Sequence, residues 1–314
     1  MGLVHLPDDF LGRHAPSLRS ITFDGVHSTL ESLSPLPNLT QLKLLGTSPF
    51  RVDALFRFLS GCPLLRNVSI KSTETSQDAT LDQIISLELL EELDYTCSPI
   101  DQILPCLRLP RLERLRVSSP LGQAQKVVDF LPHGGHVLLA GTTELFYYSY
   151  ELSQEIKFYG KSTDVSFTVL RTTLDDTPID WFPDDTCIPF GQIEVLTVVV
   201  TATVDVPIHV SSFENLRVLR IIPRNMRFIE GFLGSLHPYP EVGVPCRFLQ
   251  EIRYPYWGPP GLLVNLVRER KRAGYQLELV YLLVDIWYNP NQGLVEELEE
   301  HVGEVRILEE DEMV

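Results

Sequence analysis

The chain has 314 residues, is 44% hydrophobic and 22% charged, and carries a formal net charge of −16. No apolar run approaches the ~20 residues a membrane-crossing helix needs, and the acidic balance argues against general binding to phosphate backbones, which requires clustered Lys and Arg. Five scattered cysteines (62, 97, 106, 187 and 246) form no C-x-x-C pair, a pattern that fits buried thiols in a reducing compartment better than a disulfide frame or a zinc site.

Residues Met1 to Pro7 have neither a basic stretch nor a long apolar one, so no secretory leader is expected. The protein is therefore expected to be intracellular, cytoplasmic or nuclear. A repeat then sets in. Aligned on L-x-x-L-x-L, its copies are Leu18-Ile21-Phe23, Leu39-Leu42-Leu44, Leu65-Val68-Ile70, Leu90-Leu93-Tyr95 and Leu112-Leu115-Val117. Their spacings are 21, 26, 25 and 22 residues, inside or near the leucine-rich-repeat range of ~20–29. Pro16, Pro37, Pro63 and Pro110 each stand two residues before the first Leu. Further copies are Ile193-Leu196-Val198, Leu216-Leu219-Ile221 and Leu249-Ile252-Tyr254.

L-x-L has period 2, so its apolar residues face one side of a short strand. Stacked copies bury that side as a parallel sheet, and parallel strands need crossovers, usually helical. Ser48-Pro49, Ser98-Pro99 and Ser119-Pro120 predict helix starts, as does the capping box Thr80-Leu-Asp-Gln83. The first of these helices runs through Val52, Leu55, Phe56 and Leu59 to Gly61.

Residues 131–190 break the pattern, leaving room for about three irregular units of the usual repeat length. His136–Ala140, Glu155–Tyr159 and Val165–Leu170 read as strands. Phe146-Tyr-Tyr-Ser-Tyr150 is the most aromatic run and is expected to be buried, the other reading being an exposed ligand platform. Residues 175–185 read as an exposed acidic loop. Later, 225–235 reads as a helix with Met226, Ile229, Phe232 and Leu233 inward. Pro259-Pro260 opens another helix that Gly274 ends. Tyr275–Tyr281 reads as a strand, Leu294–Val302 as a helix and Glu304–Leu308 as a last strand.

The expected architecture is thus α/β: a leucine-rich-repeat solenoid with a curved parallel sheet, helices on the convex side and irregular middle repeats. Residues 1–308 are expected to form one domain, with regular repeats at 15–131, strand-rich units at 132–190, repeats at 191–308 and an acidic tail at 309–314. The tail belongs to a stretch, 296–314, that holds nine acids against Arg306 alone, half of the net charge.

Leu6-Pro7-Asp8-Asp9-Phe10, followed by Ala15-Pro16-Ser17-Leu18-Arg19-Ser20-Ile21-Thr22-Phe23, resembles the start of the repeat region in the F-box/leucine-rich-repeat proteins of mushroom-forming fungi. Pro37–Leu44 and Cys62–Ile70 resemble repeats of the same family. The resemblance implies a substrate receptor of a cullin-type ubiquitin ligase. An F-box takes some forty residues, and the repeats begin by Leu18, so the F-box is expected to be absent here. The small linker protein is then a partner only if an F-box lies upstream; otherwise the chain is a stand-alone adaptor.

Chemistry-bearing motifs are absent: no G-x-G-x-x-G, Walker A, H-E-x-x-H or G-x-S-x-G occurs. The acids of 175–185 suggest a hydrolase or metal enzyme, but they lack EF-hand spacing and read better as a solvated loop. His133 and His136 lack a third metal ligand and read as parts of a turn. Arg268, Arg270, Lys271 and Arg272 read as cations complementing a helix C-terminus. No cofactor, metal, nucleic acid or membrane is expected, and no catalysis. The partner is expected to be a protein, held on the strand positions that point away from the core. Candidate contact residues there are Lys43, Lys71, Asp94, Arg114, Arg116, Arg220 and Arg253. Over the strands aligned above, that face carries six basic and four acidic residues, which suits a neutral or mildly acidic partner.

Overall fold

The computed structural model describes residues 4–5, 17–27, 30, 33–46, 50–71, 75–76, 84–96, 103–120, 131–150, 153–161, 163–170, 189–201, 210–223, 226–238, 243–284 and 292–309. Five strands come first: β1 (Ser20–Asp24), β2 (Gln41–Leu45), β3 (Asn67–Lys71), β4 (Glu92–Thr96) and β5 (Arg114–Pro120). The middle of the chain adds β6 (Thr142–Ser149), β7 (Ser153–Gly160) and β8 (Asp164–Leu170). The last five are β9 (Val195–Val200), β10 (Val218–Pro223), β11 (Glu251–Pro255), β12 (Leu279–Val284) and β13 (Glu304–Glu309).

The chain divides into two compact units, residues 1–140 with 161–181, and residues 141–160 with 182–314. In the first, the strands run parallel and in register in the order β1-β2-β3-β4-β5-β8. In the second the order is β7-β6-β9-β10-β11-β12-β13. There β6 and β7 form an antiparallel hairpin, and every other pairing is parallel. The expected α/β, mostly parallel architecture is present.

The repeat has a physical cause at each position. The Leu39 N–H donates to Leu36 O, Leu65 to Cys62 and Leu112 to Leu109, at 3.0, 3.2 and 3.3 Å. Each is a four-residue turn, and Pro37, Pro63 and Pro110 sit at its second place, where proline's fixed φ is already correct. The turn drops its first and last residues into the core: Leu36 and Leu39 are fully buried, and Cys62 and Leu65 nearly so. The strand then opens with a shared acceptor. Arg19 O takes N–H groups from Thr40 and Gln41, Thr40 O from Arg66 and Asn67, and Arg66 O from Glu91 and Glu92. Within β2, Leu42 and Leu44 are buried while Gln41, Lys43 and Leu45 are half-exposed. Burying each such Leu is worth roughly 1.5–3 kcal/mol relative to leaving it in water.

The same frame fits places the sequence left unregistered. Thr142-Leu145-Tyr147 and Leu277-Val280-Leu282 are buried at 2% exposure or less. Two expectations shift accordingly. The strand expected at Tyr275–Tyr281 is β12, starting at Leu279, because Leu277 is the pre-strand turn residue. The strand expected at His136–Ala140 is a one-turn helix, His136–Leu139. Gly135 just before it is tightly packed: a Cβ there would lie 2.7 Å from Pro132 O.

Helices are fewer than expected. Among the described residues four exceed one turn: α1 (Val52–Ser60), α2 (Met226–Ser235), α3 (Pro260–Arg272) and α4 (Gln292–Glu299). The Ser-Pro pairs are the source of the error. The first helix begins at Val52, after Phe50–Arg51 has paired with Thr75–Ser76. Ser119-Pro120 closes β5, just as Pro223 closes β10 and Pro255 closes β11. A residue without an N–H ends a ladder as naturally as it opens a helix. Ile85–Ser86, expected to follow a capping box into a helix, pairs as a strand with Leu107–Arg108. Leu104–Cys106 is a single 3-10 turn. Thr80–Gln83, Ser98–Ile100, Leu121–Val128 and 175–185 lie outside the described residues. Gly61 does end α1, but at φ −86°. Its requirement for glycine is steric, since a Cβ would meet Pro35 at 2.3 Å.

Candidate functional site

Period 2 gives each sheet one buried and one polar face. In the first unit β2 to β5 present Lys43, Lys71, Asp94, Arg114 and Arg116 together on the polar face. A shallow depression of about 210 Å³ lies over Lys43, Asn67, Ser69, Asp94, Arg114 and Arg116. Most of its charges are paired. Lys71 Nζ lies 3.1 Å from Asp94, which also accepts from Ser69 Oγ at 3.4 Å. Arg114 pairs with Glu92 and, at 3.6 Å, with Asp164. Arg116 reaches Asp164 at 3.8 Å. Lys43 has no ion pair among the described residues.

Asp164 was not among the sequence candidates. The strand beside β5 is β8, reached only after the β6–β7 hairpin, and the register sets Asp164 opposite Arg114. The outward positions of this unit therefore carry Lys43, Lys71, Arg114 and Arg116 against Asp24, Glu92, Asp94 and Asp164, four against four. The surplus of cations inferred from the sequence disappears once the right neighbour is in place. Each of these half-exposed pairs is worth little alone, ~0–1 kcal/mol. Together they fix a pattern of alternating charge on a stiff surface.

The second unit presents Arg220 and Arg253, on β10 and β11. Its register also brings out residues that the repeat alignment did not include. The run 146–150, expected to be buried, splits by parity. Tyr147 is fully buried, while Phe146, Tyr148 and Tyr150 form a stacked ladder on the other face with centroids 6.2 Å apart at each step. Tyr159 meets Phe146 edge-on at 5.2 Å. Lys157 lies 5.0 Å over Tyr148 and pairs with Glu155 at 3.1 Å. On the far strands Tyr281 sits between Arg253 and Arg306, at 5.0 and 5.9 Å. Arg253 pairs with Glu251 and Arg306 with Glu304, at 2.8 and 2.7 Å. Here too the outward charges balance, Lys157, Arg220, Arg253 and Arg306 against Glu144, Glu155, Glu251 and Glu304.

The basic run 268–272 does something other than complement a dipole. Arg270 is fully buried and donates to Pro245 O at 2.8 Å and Cys246 O at 2.9 Å. Burial holds its guanidinium below the usual arginine range. Arg268 pairs with Glu297 at 2.8 Å and Lys271 donates to Glu300 O at 2.6 Å, so both tie α3 to the α4 segment. The Cys246 thiol, also buried, is pushed up to about 12 by desolvation and donates to Val210 O at 3.3 Å. Cys62 and Cys246 occupy equivalent turn positions, which explains their burial as repeat residues rather than as reactive groups.

His133 is exposed and forms an isolated bridge with Arg108. Among the described residues no three His, Cys, Asp or Glu side chains gather as a metal site, and no helix is long and apolar enough to cross a membrane. The acidic stretch 175–185 lies outside the described residues. No protein-family model matches the sequence, and no curated protein matches it significantly.

Proposed function

We propose that the chain is a leucine-rich-repeat recognition scaffold that holds a protein partner on the polar faces of its sheets and performs no catalysis. One observation carries this reading. Successive strands stack in register with their outward residues in straight rows, charged, aromatic and half-exposed, above a core that each repeat renews. Such a surface is stiff, so a partner that docks on it loses its own freedom but orders little of the scaffold. Charge balance within each unit favours a partner of mixed, not single-sign, surface charge.

The resemblance of Leu6–Phe23, Pro37–Leu44 and Cys62–Ile70 to fungal F-box/leucine-rich-repeat proteins extends the reading to the substrate-receptor part of a cullin-type ubiquitin ligase. Co-purification with the small linker protein tests that extension. A scaffold that holds its partner but never the linker protein is an adaptor with no ubiquitin role.

The scaffold itself is tested by photo-cross-linking. A benzophenone amino acid at Asn67 or Thr96, on the polar face, is expected to capture the same partner from both positions. The same probe at Arg57, on the exposed side of α1, is expected to capture none. Equal capture from Arg57 would contradict the assignment of the face.

A further inference from the structure

One row of the second unit's polar face carries an electrostatic imbalance. The register sets Thr197, Arg220 and Arg253 side by side on three adjacent parallel strands. Phe146 continues the row beyond Thr197, and Tyr281 beyond Arg253. Two polar atoms in this row are buried with no hydrogen-bond partner, Thr197 Oγ1 and Arg220 Nε. Leaving such an atom unpaired costs about 1–3 kcal/mol, more where it is charged. Arg253 has Glu251, but Arg220 has no ion pair among the described residues. Its neighbour across the ladder is another guanidinium. Burial and Arg253 both hold the Arg220 guanidinium below the ordinary arginine range. A fold gains nothing from this arrangement unless something else completes it.

We propose that Arg220, Thr197 and Arg253 form a subsite for a side-chain carboxylate of an extended partner segment, with the residue beside that carboxylate lying on Phe146 and the half-buried Val199 and Ile222. A carboxylate fits the donor set: the Arg fork offers two parallel N–H groups and the Thr hydroxyl a third donor. The surroundings select a single negative charge. Glu144 and Glu251 flank the row on one side, so a doubly charged phosphate would meet two carboxylates. On the other side the apolar positions 199 and 222, with Tyr148 in the same register, offer contact area for an aromatic or aliphatic side chain. The assignment of the carboxylate to a protein rests on the scaffold reading; the anion subsite itself does not.

The test uses the full chain and the blocked dipeptide acetyl-Glu-Phe-amide, with acetyl-Gln-Phe-amide and inorganic phosphate as comparisons. Arginine Nε–H resonances are followed by NMR and assigned with Arg220→Met. The Glu dipeptide is expected to shift the Arg220 resonance saturably, the Gln dipeptide to bind at least about tenfold more weakly, the loss expected for one charge-assisted contact. Arg220→Met is expected to abolish the accompanying shift at Arg253 and to melt no lower than the wild type. No saturable shift, equal binding of the Gln dipeptide, or tighter binding of phosphate would overturn the subsite. So would a fall in melting temperature of roughly 4 °C or more on Arg220→Met, about 1 kcal/mol or more for a unit of this size, because Arg220 would then be a structural cation. A partner that cross-links to Asn67 and Thr96 yet ignores Arg220→Met removes the subsite and leaves the scaffold intact. Binding of the dipeptide without any such partner does the reverse.

Discussion

Arg270→Ala is expected to destabilise the second unit by about 3 kcal/mol, within the range for emptying a large buried site. Arg270 is fully buried, and its two guanidinium bonds are what satisfy Pro245 O and Cys246 O. The alanine variant leaves both carbonyls inside the protein without those donors and opens a cavity beside Leu266 and Val267, themselves fully buried. The loop they belong to is strained as well, since Cys246 adopts φ +47°, a region that costs a non-glycine residue of order 1 kcal/mol. Arg270→Lys keeps the charge but cannot bridge two carbonyls in one plane, so it is expected to lose at least as much. Urea unfolding of the three proteins checks this. An alanine variant as stable as the wild type would mean that the guanidinium's desolvation already cancels what its hydrogen bonds contribute.

The second large effect lies in the first unit. Leu115 is fully buried, between Leu93 on β4 and Val165 on β8 in the register. Leu115→Ala removes atoms from a column that rigid strands hold apart, so the cavity cannot close, and a loss of about 2–5 kcal/mol is expected. Arg116→Ala, one residue along and on the other face, is expected to cost under about 1 kcal/mol. The contrast in melting temperature between the two variants is a direct readout of strand parity. Equal losses would mean that the two faces are not distinct.

The strands were legible because L-x-x-L-x-L encodes two physical facts at once, a turn that buries its last residue and a strand of period 2. That is why β1 to β5 and β9 to β11 fall where the motif places them. The crossovers were not legible from Ser-Pro pairs, because proline punctuates strand ends and helix starts alike. Phe146–Tyr150 was misjudged by treating a run of aromatics as one block, when parity sends Tyr147 inward and its neighbours outward. Asp164 was invisible for a topological reason: a repeat alignment assumes that the next strand in space is the next in sequence, and the β6–β7 hairpin breaks that assumption. Arg270, by contrast, had a readable sign. Leu263, Val267 and Arg270 follow the i, i+4, i+7 spacing of one helical stripe, so the stripe carried the arginine into the core. Of the seven candidate residues, five lie together on the first unit's face. Their charges proved to be mutually paired, which no single repeat could reveal.

The central claim is that the polar face of these sheets holds a protein partner. Its most direct test is the affinity of the cross-linked partner for the wild type and for Arg114→Glu with Arg116→Glu. The double variant replaces two cations that Glu92 and Asp164 now hold, and it sets four carboxylates against one another in the middle of the face. With folding verified by circular dichroism, affinity is expected to fall at least about tenfold, some 1.4 kcal/mol. A partner that binds both proteins equally would contradict the account.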